Sequence, residues 1–167
     1  ATVLHLFLGE LAPFFRRKEI PMPSLPAVSI RDSAVGDLNG DGWPEVVLAT
    51  GIMATEYVGN LRGAADLVLM NIGEGRYELY PIQPERNAFN NGITLMDMDG
   101  DGRLDVVESV DNSQFRGPSR ILLNRAETGA TELTFEVHPH SFDPGTNGMG
   151  VAIGDLNEDG FLDVYNT

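Results

Sequence analysis

The sequence predicts an all-β protein, and three observations carry that prediction. An acidic motif occurs three times, as DLNGDGWPEVV from residue 37, DMDGDGRLDVV from residue 97 and DLNEDGFLDVY from residue 155. Short segments rich in β-branched and apolar residues surround each copy, in the pattern typical of strands. No window shows a long amphipathic helical pattern with caps, and 19 glycines and 10 prolines interrupt the chain.

The spacing of the motif indicates which all-β architecture is present. Its copies begin 60 and 58 residues apart, a period too long for a stacked pair of helices and suited to a four-stranded propeller blade with long loops. The sequence therefore predicts a β-propeller segment of four-stranded antiparallel blades, about three blades' worth. We place a hairpin half-blade at 1–26, blades at 27–84 and 85–144, and a second half-blade at 145–167, all within one segment.

The strands follow in order along this plan. TVLHLFLG and FFRRKEI form the first half-blade, and AVSIRDSAVGD, EVVLATG, ADLVLMN and RYELYPI form the first full blade. NGITLMD, DVVESVD, SRILLNR and LTFEVHP form the second blade, and GMGVAIGD and DVYNT form the last half-blade. Counts of two, four, four and two give twelve strands. Runs such as LVLM and ILL are apolar at consecutive positions, which predicts burial of both faces between neighbouring blades.

Each acidic motif places oxygen-bearing side chains at positions 1, 3, 5 and 9. These candidate ligands are Asp37, Asn39, Asp41 and Glu45 in the first copy, Asp97, Asp99, Asp101 and Asp105 in the second, and Asp155, Asn157, Asp159 and Asp163 in the third. Position 6 is always glycine, which allows a turn with positive φ that brings alternate side chains towards one point. The pattern predicts three cation sites.

The chemistry of these residues favours Ca²⁺. The candidate ligands are carboxylates, amides and backbone carbonyls, and the chain has no cysteine and no histidine in the repeats, which argues against zinc. Without an ion, each close pair of carboxylates would cost on the order of a few kcal/mol at an intermediate dielectric. The alternative is that Asn-Gly and Asp-Gly serve only as hairpin turns, and three aligned copies argue against it.

The second copy also satisfies a different calcium motif. Residues 97–108 fit the EF-hand pattern, with Glu108 at its twelfth position. Leu48 and Asn166 occupy that position in the other copies, and strand-like rather than helical segments flank all three. We therefore predict that Glu108 is a strand residue; whether it joins the second metal shell is left open.

Composition limits the class of function. The net charge of −14 makes the chain a poor binder of nucleic acid or anionic membranes, and three bound Ca²⁺ ions would bring it to −8. The basic run Arg16, Arg17 and Lys18 is interpreted as a solvated strand face. The apolar N-terminal stretch is interrupted by His5, Glu10 and Pro13, so no transmembrane segment is expected.

The expected location is extracytoplasmic: secreted, periplasmic or on the cell surface. The absence of cysteine fits either a reducing compartment or an exported protein that uses metal in place of disulfides. Loops of this type would be filled where Ca²⁺ is millimolar, outside the cytosol. A start at Ala1 without Met fits export followed by signal removal, or a fragment.

These motifs resemble the FG-GAP/VCBS repeat family, which forms the blades of integrin-α-like propellers and of many bacterial secreted proteins. GMGVAIGDLNEDGFLDV and SAVGDLNGDGWPEVV are similar to its core motif, a glycine-rich strand followed by D-x-[DN]-x-D-G-x-x-[DE]. The resemblance implies Ca²⁺ between the first two strands of each blade, with the backbone carbonyls of Trp43, Arg103 and Phe161 as position-7 ligands. Glu45 at position 9 and Glu158 at position 4 depart from the family pattern.

Length is a further departure, because members of the family usually close a ring of about six to eight blades. Three interpretations follow: a fragment of a longer propeller, which we favour, a ring completed with other chains, or a small unit whose ends pair as one blade.

The leading hypothesis is a non-catalytic, calcium-stabilised propeller module for protein interaction, adhesion or an accessory role in an extracytoplasmic complex. No nucleophile elbow, cysteine nucleophile, zinc-protease helix or phosphate-binding glycine loop is present. His138 and His140 are interpreted as part of a plain loop because Pro139 and Pro144 accompany them. The partner is expected to be a protein or further propeller blades.

The alternative hypothesis is carbohydrate recognition, by a lectin-like propeller or by the propeller part of a polysaccharide-active enzyme. Aromatic residues in or near loops are the candidates for sugar contacts: Trp43, Tyr57, Phe89, Phe115 and Phe142. The competing interpretation is that these rings pack between blades.

Overall fold

The computed structural model describes residues 3–9, 15–21, 28–52, 65–83, 89–111, 118–140, 142 and 148–167. Twelve β-strands run through these residues: β1 Val3–Gly9, β2 Phe15–Pro21, β3 Val28–Gly36, β4 Glu45–Ile52, β5 Leu67–Asn71, β6 Tyr77–Pro81, β7 Asn90–Met96, β8 Asp105–Val110, β9 Arg120–Asn124, β10 Phe135–Val137, β11 Val151–Gly154 and β12 Asp163–Asn166. The described residues include no helix long and apolar enough to cross a membrane.

The strands form four antiparallel sheets in chain order. β1 pairs with β2, β3 to β6 form a four-stranded meander, β7 to β10 form a second one, and β11 pairs with β12. The predicted all-β class and the counts of two, four, four and two are confirmed. We call the two meanders the first and second blades and the β11–β12 pair the third blade. The predicted boundaries at 26/27, 84/85 and 144/145 lie outside the described residues.

The first strands of successive blades, β3, β7 and β11, lie side by side. β3 and β7 each carry an irregularity at the same point, between Ile30 and Asp32 and between Asn90 and Gly92. Polar side chains beside this irregularity reach the following blade. Asp32 Oδ2 accepts the N–H of Ile93 at 3.0 Å, and Asn91 Nδ2 donates to the carbonyl of Gly148 at 2.8 Å. These hydrogen bonds connect the first strand of each full blade to the blade that follows it.

Glycine is required where β7 approaches the start of the third blade. A Cβ atom added at Gly92 would lie 2.9 Å from the Cα of Gly150, closer than side chains approach backbone in folded proteins. The glycine-rich entry segments NGITLMD and GMGVAIGD therefore reflect backbone-to-backbone packing near the centre of the blade array.

The main apolar core lies between the first and second blades. Val68 and Met70 of β5 pack there with residues of β4, β7, β8 and β9, while Leu67 and Leu69, which alternate with them, are buried on the opposite face of the first blade. The predicted burial of both faces is confirmed for β5, whose five residues are all buried. In β9 the two leucines are buried and Ile121 is partly exposed.

Candidate metal centres in the acidic loops

The three acidic motifs occupy equivalent places in the three blades. The first acidic loop (37–44) joins β3 to β4, the second (97–104) joins β7 to β8, and the third (155–162) joins β11 to β12. Position 9 of each motif is the first residue of the following strand, namely Glu45, Asp105 or Asp163. All three loops therefore lie at the same end of their blades.

The same hydrogen bonds fold each loop around its acidic side chains. The position-1 carboxylate accepts the N–H groups of positions 5 and 6, at 3.2 and 2.9 Å in the first loop, 3.1 and 2.8 Å in the second and 3.0 and 2.8 Å in the third. The position-5 carboxylate accepts the N–H of position 7 at 2.8 to 2.9 Å. The position-9 carboxylate accepts the N–H of position 2 at 2.8 Å in every loop. This shared geometry turns the side-chain oxygens inwards.

Left-handed backbone at two positions makes this folding possible. The position-6 glycines have φ of 88°, 87° and 87°, as the sequence predicts, and position 4 has φ of 69° in the first loop and 76° in the second. In the third loop Glu158 adopts φ of 61° at position 4. A residue with a Cβ atom costs about 1 kcal/mol or more in this conformation, so the third loop keeps the geometry of the repeat under strain.

The second loop brings three carboxylates close together. One oxygen each from Asp97, Asp99 and Asp105 lies within 4.8 Å of the others. Among the described residues this is the one such group, because the first and third loops have asparagine at position 3. Three hard oxygen donors at this spacing fit a divalent cation such as Ca²⁺. Asp101 stands outside the group.

The buried position-9 carboxylates differ between blades. Asp105 is buried and accepts the N–H groups of Met98 and Asn124, both at 2.8 Å. Glu45 is equally buried: its Oε2 atom accepts the N–H of Leu38 at 2.8 Å, the backbone N–H of Asn71 also lowers the pKa of this carboxyl, and Oε1 makes no hydrogen bond of ordinary geometry. Burial is the larger effect and raises the pKa of both carboxyls. A cation beside Oε1 would add to the compensation that these N–H groups give.

Two arginines contact the outer side of the second loop, a feature that the sequence reasoning missed. The Nη1 atom of Arg125 lies 2.7 Å from Asp99 Oδ2 and 3.0 Å from Asp101 Oδ2, and the guanidinium of Arg103 also contacts Asp101. The hydrogen bond from Arg125 lowers the pKa of Asp99. The most acidic loop therefore carries positive charge supplied by the chain itself. In sequence, Arg125 is an ordinary residue after a strand.

The first loop is held by the next blade. Asn124, the last residue of β9 in the second blade, and the residues that follow it as far as 130 form what we call the clasp. Gly129 donates its N–H to the carbonyl of Asn39 at 2.7 Å, Asn39 Nδ2 donates to the carbonyl of Ala130 at 2.9 Å, and Asn124 Nδ2 donates to the carbonyl of Leu38 at 2.6 Å. The position-3 residue of one blade is thus ordered by the hairpin of its neighbour.

The structure places Glu108 away from the acidic loop. It lies in β8 opposite Ile93 and Arg120, is buried, and accepts a hydrogen bond from Arg120 Nε at 2.9 Å. Strands flank the second loop on both sides, so the EF-hand alternative does not apply. The position-7 residues Trp43, Arg103 and Phe161 lie in their loops and donate their N–H groups to position 5.

A buried polar cluster between the two full blades is the other feature that sequence reasoning missed. Asp66 Oδ1 accepts the N–H of Thr50 at 2.8 Å, and Asn90 Nδ2 donates to the second oxygen of Asp66. Burial, and then the charge of Glu108, raise the pKa of Asp66 well above its ordinary value. Arg120 pairs with Glu108 beside it. An aspartate before an apolar strand gives no signal of this burial.

The predicted histidine loop is also seen. His138 and His140 follow β10, and the N–H of His140 donates to Nδ1 of His138 at 3.2 Å. Pro144 lies outside the described residues, as do Tyr57 and Phe115. Of the remaining loop aromatics, Phe89 packs against Gly51 and beneath the guanidinium of Arg31, which lies 4.3 Å from the ring centre.

A protein-family model matches the part of the chain that contains the first two acidic motifs. The model of the FG-GAP-like repeat matches residues 37–108, from the first residue of the first acidic loop to β8. This stretch of the chain is consistent with the FG-GAP-like repeat family. The match covers the first two acidic loops, and the third loop repeats their hydrogen bonds outside it. None of the curated proteins and none of the solved structures matches the chain.

Proposed function

We propose that this chain is a non-catalytic, calcium-stabilised β-propeller module of an extracytoplasmic protein, used for protein interaction, for adhesion or as an accessory subunit. The observation that carries the proposal is the shared geometry of the acidic loops, in which the same hydrogen bonds turn carboxylate oxygens inwards at three equivalent places. The closely spaced carboxylates of Asp97, Asp99 and Asp105, and the burial of the Glu45 carboxylate, support a cation as their partner.

Bound Ca²⁺ would stabilise the fold rather than take part in catalysis. Each ion would neutralise carboxylates that otherwise repel one another and would fix the turn between the first two strands of a blade. The residues that would hold it are the side chains at positions 1, 3, 5 and 9 and the carbonyl of position 7. The low affinity typical of extracellular modules suits surroundings with millimolar Ca²⁺, which supports a location outside the cytosol.

An exposed apolar surface supports a protein partner. Leu38 and Val47 in the first blade are 2% and 0% exposed because the second blade covers them. The equivalent residues of the third blade, Leu156 and Tyr165, are 69% and 59% exposed. The partner that fits this surface is a further blade of the same kind, since such a blade covers the same positions in the first blade.

The test is calorimetric titration with Ca²⁺ combined with thermal melting in calcium and in chelator. At a free concentration one hundredfold above the dissociation constant, each ion stabilises the fold by about 2.7 kcal/mol. Replacing the position-1 aspartate in turn, by Asp37→Asn, Asp97→Asn or Asp155→Asn, should remove one site each time. Glu74→Gln, an exposed acid outside the loops, is the control.

An unchanged melting temperature in chelator, with no heat of Ca²⁺ binding, would refute the calcium proposal. Loss of a single site in the three position-1 variants, together with an unaltered Glu74→Gln protein, would support it. Calcium binding that survives all three substitutions would place the ions elsewhere and contradict the ligand assignment.

A further inference from the structure

An open cavity of about 380 Å³ lies beside the first acidic loop. Its walls are the loop itself, the turn that follows β5 and residues 129–131, and Met70 lies beneath it. Trp43, on its rim, is 55% exposed and is the only tryptophan of the chain. We propose that this cavity binds a neutral sugar ring of a carbohydrate ligand.

Comparison of the two full blades shows why the cavity is present in the first. Asn71 and Asn124 end the third strands of their blades and both donate through Nδ2 to the position-8 carbonyl, at 3.4 and 3.1 Å. In the second blade, position 7 is Arg103, whose Nε donates to the carbonyl of Asn124 at 2.9 Å and so crosses the space between loop and strand end. In the first blade, position 7 is Trp43, and the space beside Asn71 is open.

The groups around the cavity match the chemistry of a sugar ring. Trp43 and the exposed Ile72 offer apolar surface to the C–H face of a pyranose, and an aromatic ring packs on such a face at little conformational cost. Asp41 brings a carboxylate to the lining of the cavity, where sugar hydroxyl groups can donate hydrogen bonds to it. The volume lies within the range of small-ligand sites, roughly 300 to 1,000 Å³.

Charge limits the ligand to neutral sugars. The residues that line the cavity include the carboxylate of Asp41 and no lysine, arginine or histidine. The chain as a whole carries −14. Even with three Ca²⁺ ions bound the chain would carry −8, so an anionic sugar or a phosphate meets net repulsion, and no basic side chain in the cavity lining offsets it.

The emission of Trp43 reports directly on this site. We expect a saturable change in tryptophan fluorescence when the whole chain, in calcium, is titrated with neutral oligosaccharides built from glucose, galactose, mannose or N-acetylglucosamine. Glucuronic and sialic acids, as charged controls, should bind more weakly. No saturable response to any neutral sugar would overturn the proposal, as would a preference for the charged ones.

Variants separate this site from the rest of the surface. Trp43→Arg places in the first blade the residue that spans this space in the second, so it should fold and should abolish binding measured by calorimetry. Tyr165→Ala removes an aromatic of similar exposure on the third blade and should leave binding unchanged. Binding retained in Trp43→Arg, or lost in Tyr165→Ala, would contradict the assignment.

The sugar proposal and the calcium proposal fail separately. Trp43→Arg should still show a calcium-dependent melting temperature, because the side chain at position 7 is not a predicted ligand, although an arginine paired with Asp41, as Arg103 is with Asp101, should weaken calcium binding by the first loop. Absence of calcium binding with an intact sugar response would refute only the proposed function. A fluorescence response to peptides with apolar side chains and to no sugar would assign the cavity to a protein partner and overturn the inference.

Discussion

At the scale of single residues, the position-9 carboxylate is both a candidate metal ligand and a hydrogen-bond acceptor that holds the acidic loop in place. Asp105 accepts backbone N–H groups from its own loop and from the end of β9, so it fixes the loop to the third strand of the blade. Glu45 takes the same place in the first blade: it accepts the N–H of Leu38, and the backbone N–H of Asn71, at the end of β5, also acts on its carboxylate. The first loop is covered in addition by the clasp.

Arg125 should regulate the calcium affinity of the second loop. Its guanidinium lies beside Asp99 and Asp101, where it offsets carboxylate repulsion when no ion is bound and repels an incoming divalent cation. We predict that Arg125→Gln lowers the melting temperature in chelator and raises the Ca²⁺ affinity of the second loop severalfold. Calorimetry and melting curves with and without calcium measure both effects.

Arg76→Gln is the matched control for this prediction, because Arg76 is an exposed arginine paired with Glu74 in the β5–β6 turn, outside the three acidic loops. Arg76→Gln should change neither the melting temperature in chelator nor the Ca²⁺ affinity of the second loop. A second-loop affinity that falls in Arg125→Gln would mean that the arginine orients the carboxylates more than it competes with the ion.

Asp66 should make stability depend on pH. Burial and the charge of Glu108 raise the pKa of Asp66 in the folded state. The stability that the neutral Asp66 carboxyl contributes is therefore fully present below the pKa of this group in the unfolded chain, and it is lost as pH rises through the folded-state pKa. We predict that Asp66→Asn becomes more stable than the parent as pH rises, by at most about 1.4 kcal/mol per pH unit. Asn90 can turn its free oxygen towards the amide group of the substituted residue.

Denaturant unfolding across the acidic to neutral range measures this difference, and chelator removes the contribution of bound calcium. The neighbouring charges, Glu108 and Arg120, are the same in both proteins. Parallel stability curves for the parent and Asp66→Asn would show that Asp66 has the same pKa in the folded and unfolded states.

At the scale of strands, the contact between β7 and the third blade requires glycine. Gly92→Ala should destabilise the fold by roughly 1 to 3 kcal/mol, because the added methyl group would meet backbone atoms of Gly150 rather than a movable side chain. Gly154→Ala, where nothing lies within 4 Å of the added carbon, should stay within about 0.5 kcal/mol of the parent. Denaturant unfolding of both variants distinguishes a local close approach from a general intolerance of alanine.

The strands and the acidic loops could be predicted from sequence because the signals that define them are local and repeated. Each acidic loop joins adjacent strands, and the hydrogen bonds that fold the loop on itself span at most seven residues, as between Leu38 and Glu45. The pairing of Arg125 with Asp99 spans 26 residues, and that of Asn90 with Asp66 spans 24. Such pairs depend on how sheets pack against one another, which strand periodicity does not encode.

At the scale of the whole molecule, two kinds of contact hold the full blades together around an apolar centre. The clasp covers the first acidic loop at one end, and the cluster of Asp66, Asn90, Glu108 and Arg120 adds buried polar contacts between the blades. The third blade has an exposed apolar face at the positions that this arrangement covers in the first.

Hydrogen exchange on the intact assembly tests whether that face is covered in the working protein. We predict slow exchange through residues 161–166, because a blade packed on Leu156 and Tyr165 would protect β12 and its edge hydrogen bonds. The buried strand β8, with its six residues inaccessible to solvent, provides the internal standard for slow exchange. Rapid exchange throughout 161–166 would mean that no partner covers the third blade.

The clasp can form only late in the synthesis of the chain. Asn39 and the carbonyl of Ala130 that it binds are 91 residues apart, and a polypeptide leaves the ribosome from its N-terminus. The first acidic loop is therefore made well before the segment that closes over it. A growing chain can close the clasp over the first acidic loop only after the second blade has been added, so this loop lacks those hydrogen bonds in an unfinished chain.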